Sequence, residues 1–159
     1  MTPSAPTATR VARLTAALAT AAVLVGSAAP AGVAAPRAGV PTVTGAWARA
    51  TAPVARDGAA YFTIRGGSSA DSLTGVRVDR LVAMSATLHK SALDSGGMMS
   101  MSPVKAVPVP AGKTVAFKPG GYHVMLMGLR AQLKVGATFQ LTLVFARAGA
   151  KSVVATVRR

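Results

Sequence analysis

Two histidines and a group of methionines are the residues of this sequence best suited to chemistry. His123 opens the stretch HVMLM, in which one histidine and two methionines occupy every second position. Side chains of a β-strand alternate between its faces, so His123, Met125 and Met127 are expected to share one face. His89 closes another apolar run. A Gly/Ser-rich segment follows it, with three methionines in four positions: Met98, Met99 and Met101.

Imidazole and thioether side chains together point to copper. Imidazole suits copper, zinc, iron and nickel, whereas the soft, uncharged thioether selects Cu(I). Zinc prefers thiolate, imidazole or carboxylate ligands, which argues against zinc in a site built half from methionine. The candidate ligand group is therefore His89, Met101, His123 and Met125, with Met98, Met99 and Met127 nearby in sequence. Taken singly, such a histidine is more often a hydrogen-bonded surface residue and such a methionine a core gap-filler; their co-occurrence favours a metal.

The composition excludes several other kinds of chemistry. The sequence has no cysteine, which excludes thiolate metal sites, CxxC redox chemistry, cysteine nucleophiles and a blue-copper redox centre. Its only acidic residues are four aspartates, which argues against paired-carboxylate glycosidases and against calcium or magnesium cages. No nucleophile–base pair is visible either. We expect no enzymatic activity; a copper oxidase or reductase is the enzymatic alternative.

The chain is strongly basic, with a formal net charge of +14 from 18 lysines and arginines. Such a surface attracts polyanions, so a metal-free module that binds cell-envelope polyanions is a second alternative. However, the cations are scattered singly and no repeated interleaving of basic and aromatic residues is present. We therefore expect a solvated cationic surface and no nucleic-acid partner.

The N-terminus has the pattern of an export signal. Arg10 and Arg13 precede an apolar run over residues 14–25, and the small residues GSAAPAGVAAP follow. We expect a signal peptide over residues 1–35, cleaved near residue 28 or 35, and then a linker over 36–42. The run is short for a membrane span, although an uncleaved anchor stays open as an alternative. With no cysteine, a lipid anchor on an N-terminal cysteine is not expected, and the localisation expected is the periplasm or the extracytoplasmic cell envelope.

Short alternating runs separated by Gly, Pro, Ser and Asp predict an all-β domain over residues 43–159. We expect an antiparallel β-sandwich or barrel, and we expect the protein to be a monomer. Alternation is clearest over 138–146, where four large apolar residues share a face. We expect residues 91–112 to form a loop and residues 127–133 to form a short helical turn. The residues expected to serve in packing are Met84, Trp47, Tyr61 and Phe62. The predicted strands are 43–49, 59–65, 72–78, 84–90, 114–118, 122–127, 138–146 and 152–158.

Six segments of this domain resemble the periplasmic PCu(A)C copper-chaperone family. The family's signature is a histidine, ten intervening residues, a methionine, 21 residues and then His-x-Met. Here 21 residues separate Met101 from His123, and Met125 completes the His-x-Met triplet. The first interval departs, because eleven residues separate His89 from Met101. The resembling segments are GAWARAT (45–51), AAYFTI (59–64), ATLHK (86–90), GGMMSMSPV (96–104), KPGGYHVMLMGL (118–129) and LTLVFARAG (141–149).

The resemblance implies a cupredoxin-like β-sandwich with Greek-key connections and a solvent-accessible Cu(I) site. The segment MSMSPV resembles the family's M-x-M-x-P-V, whose second methionine is the ligand, so it implies the ligands His89, Met101, His123 and Met125, with Met99 in reserve. It also implies delivery of copper to the dinuclear copper centre of cytochrome c oxidase, or to another acceptor. Copper storage or resistance through the same site is the alternative closest to that function.

Overall fold

The structure, a computed structural model, describes residues 39–93 and 96–159, and all regular elements in these ranges are β-strands. This confirms the all-β class predicted from the sequence. The strands are β1 (Thr42–Arg49), β2 (Asp57–Arg65), β3 (Asp71–Val78), β4 (Ala83–Leu93), β5 (Met99–Pro103), β6 (Val107–Val109), β7 (Thr114–Phe117), β8 (Tyr122–Leu129), β9 (Thr138–Phe145) and β10 (Gly149–Arg158).

The ten strands form one sheet in the order β5-β4-β8-β7-β2-β1-β10-β9-β3-β6, and β8 also pairs directly with β2. Most neighbours are antiparallel; β1–β10 and β7–β8 are parallel. The sheet therefore has two edges in the described part of the chain, β5 and β6. The three strands β5, β4 and β8 stand next to one another at one end, and they carry all the candidate metal ligands.

Alternation between faces places the hydrophobic core on one side of the sheet. On β9 the four apolar residues predicted to share a face are all buried: Phe139, Leu141, Leu143 and Phe145. On β8, Val124 and Leu126 are fully buried in the same core, which also takes side chains from β2, β3, β4 and β10. His123, Met125 and Met127 alternate with these two residues along β8 and thus point to the other face of the strand. Core packing on one face fixes the position of the candidate site on the other.

The segment predicted as a loop, residues 91–112, differs from the expectation. β4 continues to Leu93, and two further strands follow, β5 and β6. The hydrophobic pattern does not indicate β5, because all five of its residues are exposed. It does not indicate β6 either, because the proline in its Val-Pro-Val sequence argues against a strand. The helical turn expected over 127–133 is also wrong, since β8 runs to Leu129 and no helix follows it.

Two further expectations concern the ends of the domain and its packing. Met84, expected in the core, is 63% exposed and lies over Gly128, while Phe62 and Tyr61 are buried as expected of packing residues. Pro41 is fully buried and Thr42 begins β1. The expected signal peptide over residues 1–35 lies outside the described residues. In the ranges that are described, no helix is long and apolar enough to cross a membrane.

Candidate metal site

The two histidines of the chain lie directly opposite each other on adjacent antiparallel strands. His89 of β4 is the register partner of His123 of β8, and their ring centroids are 5.8 Å apart. Two positions along the same ladder, the amide of Ser91 donates to the carbonyl of Gly121, 3.0 Å away. Because hydrogen-bonded pairs recur at every second position of an antiparallel ladder, His89 and His123 also form such a pair. Their side chains therefore leave the same face of the sheet.

The same face carries the two methionines predicted as ligands. Met101 of β5 lies opposite Ser91, two residues beyond His89 on β4. Met125 of β8 lies opposite Thr87, two residues before His89. Since directly opposite residues share a face and residues two apart along a strand do too, the four candidate ligands emerge on one side of three neighbouring strands. The structure thus brings together four residues that three separate segments supply.

Three of the four candidates line a cavity of about 410 Å³ on this face: Met101, His123 and Met125. The cavity continues over β2 and the end of β1, where Arg49, Asp57 and Tyr61 contribute to its wall. His89 is not part of the lining; it is half-buried beside His123. His123 is only 4% exposed, and Met101 is 59% exposed. The candidate donors therefore range from a buried imidazole to a thioether open to solvent.

Hydrogen bonds assign one protonated nitrogen to each imidazole. Nδ1 of His123 lies 3.1 Å from the carbonyl oxygen of Gly121, so Nδ1–H donates and the neutral ring keeps its lone pair on Nε2. Nε2 of His89 lies 3.0 Å from Oγ1 of Thr87, while Nδ1 of His89 is buried with no hydrogen-bond partner. A buried N–H without an acceptor is costly, so the proton of His89 belongs on Nε2.

Nδ1 of His89 is consequently a buried lone pair that the protein leaves unused. Buried polar atoms are almost always hydrogen-bonded, and a metal ligand is one of the few reasons for an exception. Burial, and secondarily the nearby His123, lower the pKa of His89 below its ordinary value. The neutral form, which is the form able to bind a metal, is favoured by the same surroundings.

The methionines differ in how they are placed relative to the histidine pair. Met99, the reserve candidate, lies opposite Leu93 and is 58% exposed, one side-chain repeat farther along β5 than Met101. Met127 lies opposite Ser85, on the same face as Met125 but farther from His123 along β8. In the described residues, no three His, Cys, Asp or Glu side chains gather closely enough to hold a metal ion. The further donors that the structure places on the face of the histidine pair are the methionine sulfurs.

Three supporting residues were not identified from the sequence. Thr87 has a readable signal, because a residue two positions before His89 on a strand must share its face. Gly121 acts through its carbonyl oxygen, for which the sequence has no signal. Tyr61 was assigned to packing, yet it also lines the cavity, and its ring centroid lies 6.5 Å from that of His123 and 4.6 Å from that of Trp47. Burial raises the pKa of Tyr61, and the charge of Arg49 partly offsets this.

Two PCuAC domains and a Cu(I)-bound protein are among the solved structures with a similar fold. The copper-bound PCuAC domain from PmoF2 is 25% identical, with a TM-score of 0.63 over 76% of this chain and 94% of that domain. The apo PCuAC domain from PmoF1 is 28% identical, with a TM-score of 0.62 over 76% of this chain and 95% of that domain. The Cu(I) form of DR1885 from Deinococcus radiodurans is 36% identical, with a TM-score of 0.58 over 80% of this chain and 83% of that protein. The fold is therefore the cupredoxin-like fold of PCuAC domains, as the sequence predicted.

The family follows from a match over most of the chain. Residues 41–157 match the family model described as "Putative lipoprotein LpqE-like". The chain therefore belongs to the LpqE-like family, and its predicted resemblance to PCuAC proteins is confirmed. It is also 34% identical over 76 residues to "Putative lipoprotein Lxx21020" from Leifsonia xyli subsp. xyli (strain CTCB07), a match that covers 48% of this chain and 46% of that relative. The chain thus spans about half the length of the curated relative that it matches.

Proposed function

We propose that this protein is an exported copper chaperone that carries one Cu(I) ion on His89, Met101, His123 and Met125. One observation carries the proposal: the two histidines form a directly opposed pair, and His89 keeps a buried Nδ1 lone pair without a partner. His123 complements it with a lone pair on Nε2, because its Nδ1–H donates to Gly121. Two imidazole nitrogens and two thioether sulfurs are a donor set that suits Cu(I) and disfavours Zn²⁺.

The exposure of the donors suggests how the ion is taken up and released. His123 is buried and held by a backbone hydrogen bond, so it forms the fixed part of the proposed site. Met101 is more than half exposed, so an incoming ligand can approach the ion from the solvent side and displace its sulfur first. A thioether has no proton to lose or regain, and such an exchange therefore needs no acid or base. These properties favour transfer of the ion over permanent retention.

We further propose that the acceptor is the dinuclear copper centre of cytochrome c oxidase, outside the cytoplasmic membrane. The support is the resemblance to copper chaperones, the copper-bound state of similar domains and a signal-like N-terminus. The test mixes the Cu(I)-loaded protein with a soluble apo domain of an oxidase copper-centre subunit. Appearance of copper on that domain would support delivery, while retention of all copper by the donor protein would favour storage.

Anaerobic Cu(I) titration against a chromogenic chelator tests the site itself. We expect wild type to bind one equivalent, and His123→Ala and Met101→Ala to lose tight binding. Met99→Ala is the matched control, because Met99 lies on the same strand and face as Met101 with a similar exposure. Equal binding by wild type and both ligand variants would end the proposal. If Met99→Ala lost binding and Met101→Ala did not, the ligand would be Met99.

A further inference from the structure

β5 is a sheet edge with unusual properties. It pairs with β4 on one side, and in the described part of the chain no strand pairs with its other side. All five of its residues, Met-Ser-Met-Ser-Pro, are exposed, and none is charged. Proteins usually protect such edges with lysine, proline or a covering segment, because unpaired backbone groups invite another strand. Here the only such residue is Pro103, the last residue of the strand.

The opposite edge of the same sheet shows the usual protection. β6 has only three residues, Val107, Pro108 and Val109, and proline stands at its centre. Both valines are buried, so the strand serves mainly to cover the core. A central proline has no N–H to offer to an incoming strand. The open state of β5 is therefore specific to the edge that carries the candidate ligand Met101.

The register shows which backbone groups of β5 point outward. The amide of Val104 donates to the carbonyl of Leu88, 2.9 Å away, so these two residues form a hydrogen-bonded pair. Such pairs recur at every second position, which directs the amides and carbonyls of Ser102 and Ser100 toward β4. Met99 and Met101 then direct theirs away from the sheet. The two exposed methionines of β5 thus also hold its outward-facing N–H groups.

We propose that β5 is the docking strand for the copper acceptor, which adds an extended, acidic segment antiparallel to it. This inference rests on the proposed function for the identity of the partner, and it adds the recognition mode. A segment paired with β5 places one residue directly opposite Met101, with its side chain on the face that carries the two histidines. A cysteine, histidine or methionine at that position stands beside the sulfur that it replaces. Backbone pairing thereby sets the position of ligand exchange.

Charge favours an acidic partner over a second copy of the chain. The protein has a formal net charge of +14, so association of two copies brings like charges together. Lys105, two residues after Pro103, is exposed beside the end of β5, whereas Lys90, which pairs with Ser102, holds its Nζ over the ring of Tyr122 on β8, 5.6 Å from the ring centroid. An acidic residue that flanks the incoming ligand would meet Lys105 and the positive field of the protein as a whole. A second copy offers four aspartates and no glutamate in its whole sequence.

Amide hydrogen exchange of the full chain in its apo form provides the first test. We expect the amides of Met99 and Met101 to exchange roughly tenfold or more faster than those of Ser100 and Ser102. Slow exchange at Met99 and Met101 in the free protein would show that the edge is already covered, either by this chain or by another copy, and would overturn the proposal.

The second test titrates a synthetic peptide, acetyl-DVTMTVD-amide, into the apo protein and then into the Cu(I)-loaded protein. Protection of the Met99 and Met101 amides, with little change at Ser100 and Ser102, is the expected result. The analogue KVTMTVK should bind several-fold more weakly at low salt, and the difference should shrink as salt is added. Absence of protection at millimolar peptide would overturn the proposal.

Two N-methylated isomers of this peptide supply a matched control with identical mass and charge. With its methionine opposite Met101, the peptide directs the amides of positions 4 and 6 toward β5 and those of positions 3 and 5 away. N-methylation at 4 and 6 should weaken binding about tenfold or more through the loss of two hydrogen bonds, and methylation at 3 and 5 should weaken it less. Equal binding of both isomers would refute strand addition. Because pairing is measured without copper, its failure is separate from a failure of Cu(I) binding.

Discussion

His89 and His123 face each other across one rung of the β4–β8 ladder, with ring centroids 5.8 Å apart. Strand pairing sets this distance, since neither ring depends on a mobile loop for its position. Each ring has one nitrogen hydrogen-bonded to a residue two positions before it in the chain, Thr87 for His89 and Gly121 for His123. The remaining nitrogens are the pair on which the copper proposal depends.

Replacing Thr87 by valine should weaken Cu(I) binding about 10- to 100-fold, the usual effect of losing a residue that orients a metal-binding histidine. The hydroxyl oxygen of Thr87 lies 3.0 Å from Nε2 of His89 and holds the proton there, away from Nδ1. Valine keeps the shape and branching of threonine but offers no acceptor. Competition with a Cu(I) chelator measures the change. Ser85→Ala, on the same strand and face, is the control, and an equal effect of both variants would contradict this role of Thr87.

Oxidative footprinting should identify the methionine ligands without mutation. Dilute hydrogen peroxide should convert the exposed Met99 and Met101 to sulfoxides faster than the half-buried Met125. Silver(I), a soft monovalent ion that peroxide does not oxidise, takes the place of Cu(I) here; because it engages the sulfur lone pairs, loading should slow oxidation at Met101 and Met125 and leave Met99 reactive. Peptide mass spectrometry reports each site. Protection of Met99 instead of Met101 would contradict the assignment of Met101 and identify Met99 as the ligand.

The single tryptophan should report on copper through its neighbour. Trp47 contacts Tyr61, with ring centroids 4.6 Å apart, and Tyr61 lies 6.5 Å from His123. A metal bound at His123 changes the surroundings of this aromatic pair, so Cu(I) addition should lower the emission of Trp47 and saturate at one equivalent. His123→Ala should abolish the response. An unchanged signal in wild type, at a ratio where the chelator assay shows binding, would place the metal away from His123.

Acid should destabilise the domain through Asp71, far along the sheet from the candidate ligands. Burial would raise the pKa of Asp71, but backbone amides of Arg147, Ser72 and Ala148 donate to its carboxylate, and together with the charge of Arg147 they lower that pKa overall. The unfolded chain then binds more protons than the native state, so this stability is present above about pH 4 and is lost as the pH falls further.

Asp71→Asn should therefore lower the free energy of unfolding at pH 7 by about 1 to 3 kcal/mol, because an amide is a poorer acceptor for these backbone donors. Urea denaturation at pH 7 and at about pH 2.5 measures both effects, and the variant should lose less stability on acidification than wild type. Its Cu(I) affinity should match that of wild type, since Asp71 lines a separate cavity. An unchanged pH dependence in the variant would show that Asp71 does not govern acid stability.

The sequence predicted the buried strands well because burial leaves a periodic trace. All eight predicted strands are present, and the alternation of β9 agrees with the four buried residues. β5 leaves no such trace, since it exists through backbone pairing with β4 while its side chains are exposed. Met84 was placed wrongly for a related reason: hydrophobicity alone does not tell that the residue beneath it is Gly128 at a left-handed turn of the backbone, with φ of 65°.

The candidate site was predictable in its residue types and less so in its arrangement. The spacing of His123 and Met125 places both on one face of a strand, and β8 has that form. That His89 would stand opposite His123 required the register of two strands 34 positions apart in the sequence, which no local pattern encodes. The unpartnered Nδ1 of His89 depends in turn on the side chain of Thr87 and on burial. Such relationships arise only when the strands are assembled.

Alternate residues of β8 serve two different roles. Val124 and Leu126 pack in the core, whereas His123 and Met125 line the cavity on the opposite face of the strand. The side chains that anchor this strand in the core are therefore different from those proposed to hold the ion. A substitution of Val124 or Leu126 would act on the fold, whereas a substitution of His123 or Met125 would act on the bound ion and leave the core intact.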